Sequence, residues 1–437
     1  MQDAKTLRRN FLWNTVGQLI YMGAQFLCGI LVVRFGADGV YNSGLYNTAL
    51  TVTNIFLSMA SYGMYSFQVS DMRGKYATSA YLKSRAFTCA AAVGSCALLL
   101  GFCAAMGRPY TAEQTACILL FLLFRMVESA TDVYNAILQK HDRLDLVGKI
   151  YAVRGLLTLG VFVLVLALTG NMVLTLGLMA AAVAVFFILY SIPHAKPFYT
   201  PQRVAGRVAG ALLWECLPLA IYSVLGTTAA NIPKLFLGQI MGNEAMGIYG
   251  PVVQPVVLLQ ICATYLFNPF ITTFSRAYER RDKKAFWQAV LAVQGLVLAM
   301  LPLGLLVAHF LGRWGLETFV GRGWGAYQYL LGPMAVACIL MATVLFYSML
   351  LTVMRCMRGL IFANVCGLLT AVLASRPCIV RWELQGTTIA VIIAVTVQLL
   401  CLGGCIWRRC SRHFAPGPLP HAQEPDGLPS DASEHEV

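Results

Sequence analysis

Apolar runs close to the length of a bilayer crossing recur along nearly all of the 437-residue chain, separated by short polar or basic segments. A helix rises 1.5 Å per residue, so roughly 20 apolar residues cover the hydrocarbon core. On that measure the chain offers twelve candidate spans, at 11–34, 44–69, 86–106, 114–139, 147–169, 172–193, 208–240, 245–270, 286–311, 325–354, 359–375 and 385–407. The first lies behind MQDAKTLRRN and is too long and too polar along one face for a cleavable signal peptide, so it is expected to stay as a helix. The pattern predicts an all-α polytopic membrane protein with about twelve transmembrane helices.

Three spans depart from plain apolar sequence. The first carries Asn10, Asn14, Gln18, Tyr21 and Gln25, and the second carries Asn47, Thr51, Asn54, Ser58 and Ser61. The fourth runs FRMVESATDVYNAILQK, with Arg125, Glu128, Asp132, Asn135 and Gln139. Steps of three and four residues place each set on one helical face. A charge at the bilayer centre costs about 2.5–3.5 kcal/mol on insertion scales, so such a face turns toward protein or water. Arg125 stands about a dozen residues into its span, ~18 Å along the axis, and Glu128 at i+3 is placed to pair with it. These stripes predict the walls of a hydrated cavity; the alternative is hydrogen bonding that holds helices together.

Composition confirms the setting and charge orients it. The chain is 58% hydrophobic and 12% charged, with mean hydropathy +0.69. Its net charge of +13 would suit a nucleic-acid partner, but the cations are not clustered for one. With the N-terminus in the cytoplasm, 24 Lys and Arg fall in loops and ends on that side and 7 on the other, with Arg125 left inside. Cationic loops stay cytoplasmic, so both termini are expected there and no nucleic acid is expected as a partner. The fourteen cysteines lie mostly within spans and form no CxxC or Cys/His spacing, so neither metal nor cofactor is expected. No nucleotide-binding or hydrolase motif is present, and no catalytic residue is assigned. The Pro-rich acidic tail 411–437 reads as disordered and cytoplasmic.

An internal repeat divides the chain. VVRFGADGVYNSGLYNTALTV, Val32–Val52, is matched by LGQIMGNEAMGIYGPVVQPVV, Leu237–Val257, and each pair of spans is followed by a basic amphipathic linker. Six spans separate the copies, so both enter the membrane in the same direction. This predicts two pseudo-symmetric six-helix lobes, 1–200 and 201–410, facing one another across a cleft. Lys234, beside Pro233, fits either the cavity or the outer interface, whereas Arg34 and Arg154 are expected at interfaces. Pro218, Pro233, Pro251, Pro255 and Pro269 suggest bendable spans 7 and 8.

NFLWNTVGQLIYMGAQFLCGILVVRFGADGVYNSGLYNTALTV, YGMYSFQVSDMRGKY, RMVESATDVYNAILQKHDRLDLVGK and NIPKLFLGQIMGNEAMGIYGP resemble the Wzx-type polysaccharide-biosynthesis flippases of the multidrug/oligosaccharidyl-lipid/polysaccharide (MOP) exporter superfamily. The likeness covers about the first 285 residues. It implies a bacterial plasma-membrane carrier that turns polyprenyl-pyrophosphate-linked oligosaccharide across the bilayer by alternating access, with MATE-like architecture. Membrane lipids, glycosyltransferases and a polysaccharide polymerase are the implied partners. Arg125 and Lys234 would hold phosphate; Asn14, Gln18, Gln25, Asn47, Asn54 and Asn135 would face sugar hydroxyls. Glu128 and Asp132 are the candidates for coupling to an ion gradient. A MATE-like cation extruder, a lipid II-type flippase and a membrane glycosyltransferase or polymerase are the competing readings. A drug extruder would favour an acidic pocket, and the enzymes need a catalytic carboxylate or a larger outer loop.

Overall fold

A computed structural model describes residues 4–35, 38–71, 74–107, 109–200, 202–267 and 270–414. Gly36 and Ala37 of the first repeat turn, Arg108, Pro269 and the tail beyond residue 414 lie outside the described residues. The helices are α1 (Ala4–Leu31), α2 (Gly39–Ser61), α3 (Met64–Ser70), α4 (Thr78–Ala105), α5 (Ala112–Lys140), α6 (Leu144–Thr169), α7 (Met172–Phe186) and the short α8 (Ile192–Ala195). Then follow α9 (Gly206–Phe267), α10 (Ile271–Glu279), α11 (Lys283–Phe310), α12 (Gly312–Phe319), α13 (Leu331–Val353) and α14 (Met357–His413). No strand occurs among the described residues.

Seven helices, α4, α6, α7 with its continuation, α9, α11, α13 and α14, are long and apolar enough to cross a membrane. Two of them fold back on themselves. Gly242 breaks α9 at φ 84°, ψ −172°, which only glycine adopts without strain, and Glu383 breaks α14 at φ 50°. Gly386 consequently sits on the backbone of Cys378, and Gly238 on Met246. The seven thus supply nine passes, and α1, α2 and α5 complete the twelve. Those last three are the polar-striped spans, so the helices that fall short in hydropathy are those that put polar residues inside. Leu98, Leu168 and Leu373, each at least 75% exposed, cover the outside with the aliphatic surface that lipid requires.

Two lobes of six passes follow, lobe one from α1 to α8 and lobe two from α9 to α14. Lobe one has its own apolar core, drawn from Cys28 to Val183, in which Tyr46 lies edge-on to Phe121 and Phe162. Lobe two builds two cores from residues 237–410, with Ile30 of lobe one in one of them, and its Leu212 and Cys216 pack with Met64, Tyr76, Tyr81 and Val133 in a buried cluster shared by both lobes. The repeat is visible in the order of elements: α2–α3–α4 in lobe one corresponds to the second half of α9, α10 and α11 in lobe two. Capping fixes the starts of these elements. Asp38 accepts the Tyr41 amide at 3.0 Å to start α2, Asp282 accepts the Ala285 amide at 2.9 Å to start α11, and Thr111 with Gln114 closes a reciprocal capping box on α5.

Candidate functional site

Within lobe one, glycines set the geometry. α1 and α6 cross where Gly17 faces Gly148, and a Cβ on either would overlap the other helix's backbone; Gly155 meets Tyr21 in the same way. The close crossing lays the Arg154 guanidinium over the Tyr21 ring at 4.2 Å, with Tyr151 at 5.1 Å on another side. Arg154 reaches Glu128 at 3.5 Å, Arg125 holds the same carboxylate at 2.7 Å, and the Tyr21 hydroxyl donates to its other oxygen. Arg125 also donates to the Asn54 side chain at 3.3 Å and lies over Phe121 and Phe124. Arg85, buried, donates to the Ala60 carbonyl and to Ser129 at 3.0 Å. Asp132 feels Arg85 and Arg154 but has no ion pair or hydrogen bond among the described residues.

Three guanidinium groups against two carboxylates leave the lobe interior with one excess positive charge. The donors are also in excess. Nε and Nη2 of Arg85, Nε of Arg125, and Nε and Nη1 of Arg154 are buried with no acceptor among the described residues. Arginine has only donors, and each buried donor without a partner costs about 1–3 kcal/mol. An oxyanion entering this site would supply the missing acceptors and the missing charge together.

A second polar region lies where the lobes meet. The repeat glycines pack α2 on the second half of α9: a Cβ at Gly247 would overlap the Val40 carbonyl, one at Gly44 the Asn243 carbonyl, and one at Gly250 the Asn47 side chain. Ser43 donates to the Gly247 carbonyl at 2.8 Å, and Asn243 donates to the Tyr41 carbonyl at 2.8 Å. Just inside this seam is a small void of about 40 Å³ lined by Asn47, Thr51, Asn54, Asn231, Lys234 and Gln254. On its other side Lys234 also borders a cavity of about 260 Å³ with Thr48, Tyr110, Gln114 and Gln239.

The sequence-derived residues therefore fall into two groups. Arg125, Glu128 and Asp132 share the lobe-one interior, with Gln25 attached through Tyr21 at 3.3 Å and Asn135 buried beside the Tyr151 hydroxyl. Asn47, Asn54 and Lys234 stand at the seam, so Lys234 faces a cavity between the lobes, with no ion pair among the described residues. Asn54 is the hinge between the groups, touching Arg125 while lining the void. Asn14 and Gln18 bond to one another at 3.2 Å farther along α1 and do not join the cluster. Arg34 is exposed and reaches the Thr318 carbonyl. Arg154 is not interfacial: it is 1% exposed, because the glycine crossing draws it inward. Arg85 likewise belongs to the buried cluster and not to the basic linker, which leaves the loop asymmetry intact. Neither carries a local signal in the sequence, because each stands near a basic helix end.

A family model described as polysaccharide biosynthesis protein matches residues 7–273, more than half of the chain. The protein belongs to that family. It is 21% identical over 326 residues to the capsular polysaccharide biosynthesis protein CapF of Staphylococcus aureus, spanning 74% of this chain and 80% of CapF. Its fold matches an inward-facing multidrug resistance MATE-family transporter of the MOP superfamily at TM-score 0.61, with 12% identity over 91% of this chain and 95% of the other. A Vibrio cholerae MATE transporter gives 0.58, and a Pyrococcus furiosus MOP transporter, described as having a binding pocket of reverse polarity, gives 0.57; each is 12% identical and covers 94% of this chain and 96% of its own. At such identities the likeness establishes the fold. The expected twelve-helix, two-lobed architecture holds, and the protein is a multi-pass membrane member of the polysaccharide-biosynthesis family. The family is one of polysaccharide biosynthesis, and the fold is one that solved transporters share.

Proposed function

We propose that the protein flips polyprenyl-pyrophosphate-linked oligosaccharide across a bacterial plasma membrane for surface polysaccharide synthesis, by alternating access between its lobes. The observation that carries this reading is the surplus of buried guanidinium donors at Arg85, Arg125 and Arg154, joined through Asn54 to the void between the lobes. A pyrophosphate offers several anionic oxygens to such donors, and planar guanidinium forks suit phosphate well. A cation extruder needs the opposite field, so the positive interior disfavours the MATE-like drug reading despite the shared fold. With both termini in the cytoplasm, the α2–α9 glycine seam lies at the outer end, and this state is closed toward the outer leaflet. Of the two coupling candidates, Asp132 is the carboxylate not already held by arginines, which suits it to gain and lose an ion. Glycosyltransferases would supply the lipid-linked substrate on the inner side, and a polymerase would consume it outside.

The test is export in a strain lacking the gene. Arg125→Glu, matched to the parent in membrane level, is expected to abolish surface polysaccharide, while Arg125→Lys retains part of it. Full export by Arg125→Glu would remove the anion-binding role.

A further inference from the structure

Lobe two contains a cavity of about 350 Å³ between α9, α13 and α14. Small-molecule sites commonly measure ~300–1,000 Å³, so it is large enough for a ligand group. Its polar lining is carboxamide and hydroxyl, including Asn231, Gln260, Asn364, Gln398 and Ser348, with the Tyr222 ring on one wall, and no charged side chain among the described residues borders it. These groups are built in. Asn364 is 1% exposed and donates to the Leu360 carbonyl at 2.7 Å, which aims its oxygen at the Gln398 amide, 3.0 Å away. Asn231 donates to the Thr227 carbonyl at 2.8 Å, and Ser348, 2% exposed, has a hydroxyl with no partner among the described residues. Such a set satisfies itself partly and keeps acceptors and donors in hand, as a ligand with many hydroxyls requires.

The position of the cavity gives it meaning. Asn231 lines both this cavity and the seam void, whose other wall includes Asn54 on Arg125. Polar side chains thus link the guanidinium cluster, through Asn54 and Asn231, to an uncharged amide pocket. In a sugar pyrophosphate, charge and neutral hydroxyls follow one another in the same order.

We infer that the lobe-two cavity is a saccharide subsite, which takes the neutral sugar next to the pyrophosphate and selects against lipid carriers that lack it. The inference rests on the flippase reading and assigns the sugar end of the substrate. The carboxamides supply paired donors and acceptors to ring hydroxyls or an N-acetyl group, and Tyr222 offers an apolar face to the ring. Because no cation lines the pocket, a uronic acid at that position gains nothing there.

Binding of two probes to the purified full-length protein in nanodiscs tests this: polyprenyl pyrophosphate, and the same lipid bearing one N-acetylhexosamine. The parent is expected to bind the sugar-bearing lipid more tightly, and Asn364→Leu/Gln398→Leu to lose about tenfold for it, equivalent to one well-made hydrogen-bonding group at ~1.4 kcal/mol, with bare-lipid affinity retained. Ala230→Leu, which narrows the cavity without removing a polar group, is expected to give the same selective loss. Equal losses for both lipids, no loss for either, or a parent without sugar preference would each overturn the subsite. A parent that binds neither lipid would instead defeat the flippase reading itself.

Discussion

Lobe one buries Arg85, Arg125 and Arg154 around Glu128 and Asp132, whereas lobe two buries Asn231, Asn364, Gln398 and Ser348 with no charge among them. Both arrangements put polar groups where lipid-facing helices would exclude them, yet their energetics differ. Carboxamides carry donors and acceptors on one side chain, so Asn364 and Gln398 close on each other and lose little when no ligand is present. Guanidinium groups carry donors only, and Glu128 cannot satisfy three of them. Lobe one is therefore held together by a carboxylate that balances a positive interior, and it remains short of acceptors. The contrast places the buried charges in one half of a pseudo-symmetric fold and, apart from Lys234 at the seam, neutral carboxamides and hydroxyls in the other.

Removing the balancing carboxylate should give the largest effect. Glu128→Gln leaves Arg125 and Arg154 facing one another without compensation, and breaking a buried pair in this way costs about 3–5 kcal/mol. A large fall in melting temperature in detergent is expected, with partial recovery when Arg125→Gln is added. An unchanged melting temperature in Glu128→Gln would mean that the cluster is hydrated well enough to need no carboxylate. The comparison would then lose its energetic basis.

The seam between the lobes comes next. Gly247→Leu drives a side chain into the Val40 carbonyl, and overpacking of this kind typically costs about 1–3 kcal/mol. Its distinguishing readout is access rather than stability. In a cysteine-free background, a Thr48→Cys reporter beside the 260 Å³ cavity should react faster with a membrane-impermeant maleimide when Gly247→Leu holds the lobes apart. Unaltered labelling would show that this end of the molecule does not depend on the glycine contact.

These features differ in how far the sequence disclosed them. The twelve passes were legible because bilayer length and hydropathy act on each segment alone, and the repeat was legible because its glycines and tyrosines recur in one register. Arg125 with Glu128 could be read because i,i+3 neighbours share a helical face. Arg154 and Arg85 could not, since each lies near a basic helix end where a loop is the ordinary expectation. Only the Gly17–Gly148 crossing, which joins helices 131 positions apart in the chain, turns Arg154 inward over Tyr21. The lobe-two cavity was hidden for another reason: Asn231, Asn364 and Gln398 are single amides in separate apolar runs, and nothing local marks them as neighbours. Lobe two reads as plainly aliphatic until its helices are packed.

Lobe two should also be the more forgiving half. Replacing both partners of a neutral hydrogen bond by apolar groups of similar shape is close to neutral, so Asn364→Leu/Gln398→Leu should change stability by less than about 1 kcal/mol. Its melting temperature is expected to stay near that of the parent and well above that of Glu128→Gln. If the double variant proved the less stable of the two, the carboxamides rather than the ion cluster would be holding the fold.

The smallest effect concerns the linkers, where the two lobes again differ. Asp282 in lobe two caps α11 through one amide, while Asp71 in lobe one accepts the Lys75 amide at 2.9 Å, the Tyr76 amide at 3.2 Å and the Tyr81 hydroxyl at 3.2 Å. Burial pushes the Asp71 carboxyl upward, but these hydrogen bonds and the nearby Lys140 outweigh it and hold its pKa below the usual carboxylate value. A depressed pKa means that the folded linker prefers the carboxylate. The stabilisation is thus complete above the unfolded value of ~3.9 and is lost as pH falls through the lower folded one. Asp71→Asn should speed amide hydrogen exchange over residues 74–81 at pH 7, and the gap from the parent should close as the parent's own carboxyl is protonated at low pH. A gap that persisted unchanged in acid would show that the ordering of this linker owes nothing to the charge on Asp71, because the asparagine and the protonated aspartate present nearly the same shape.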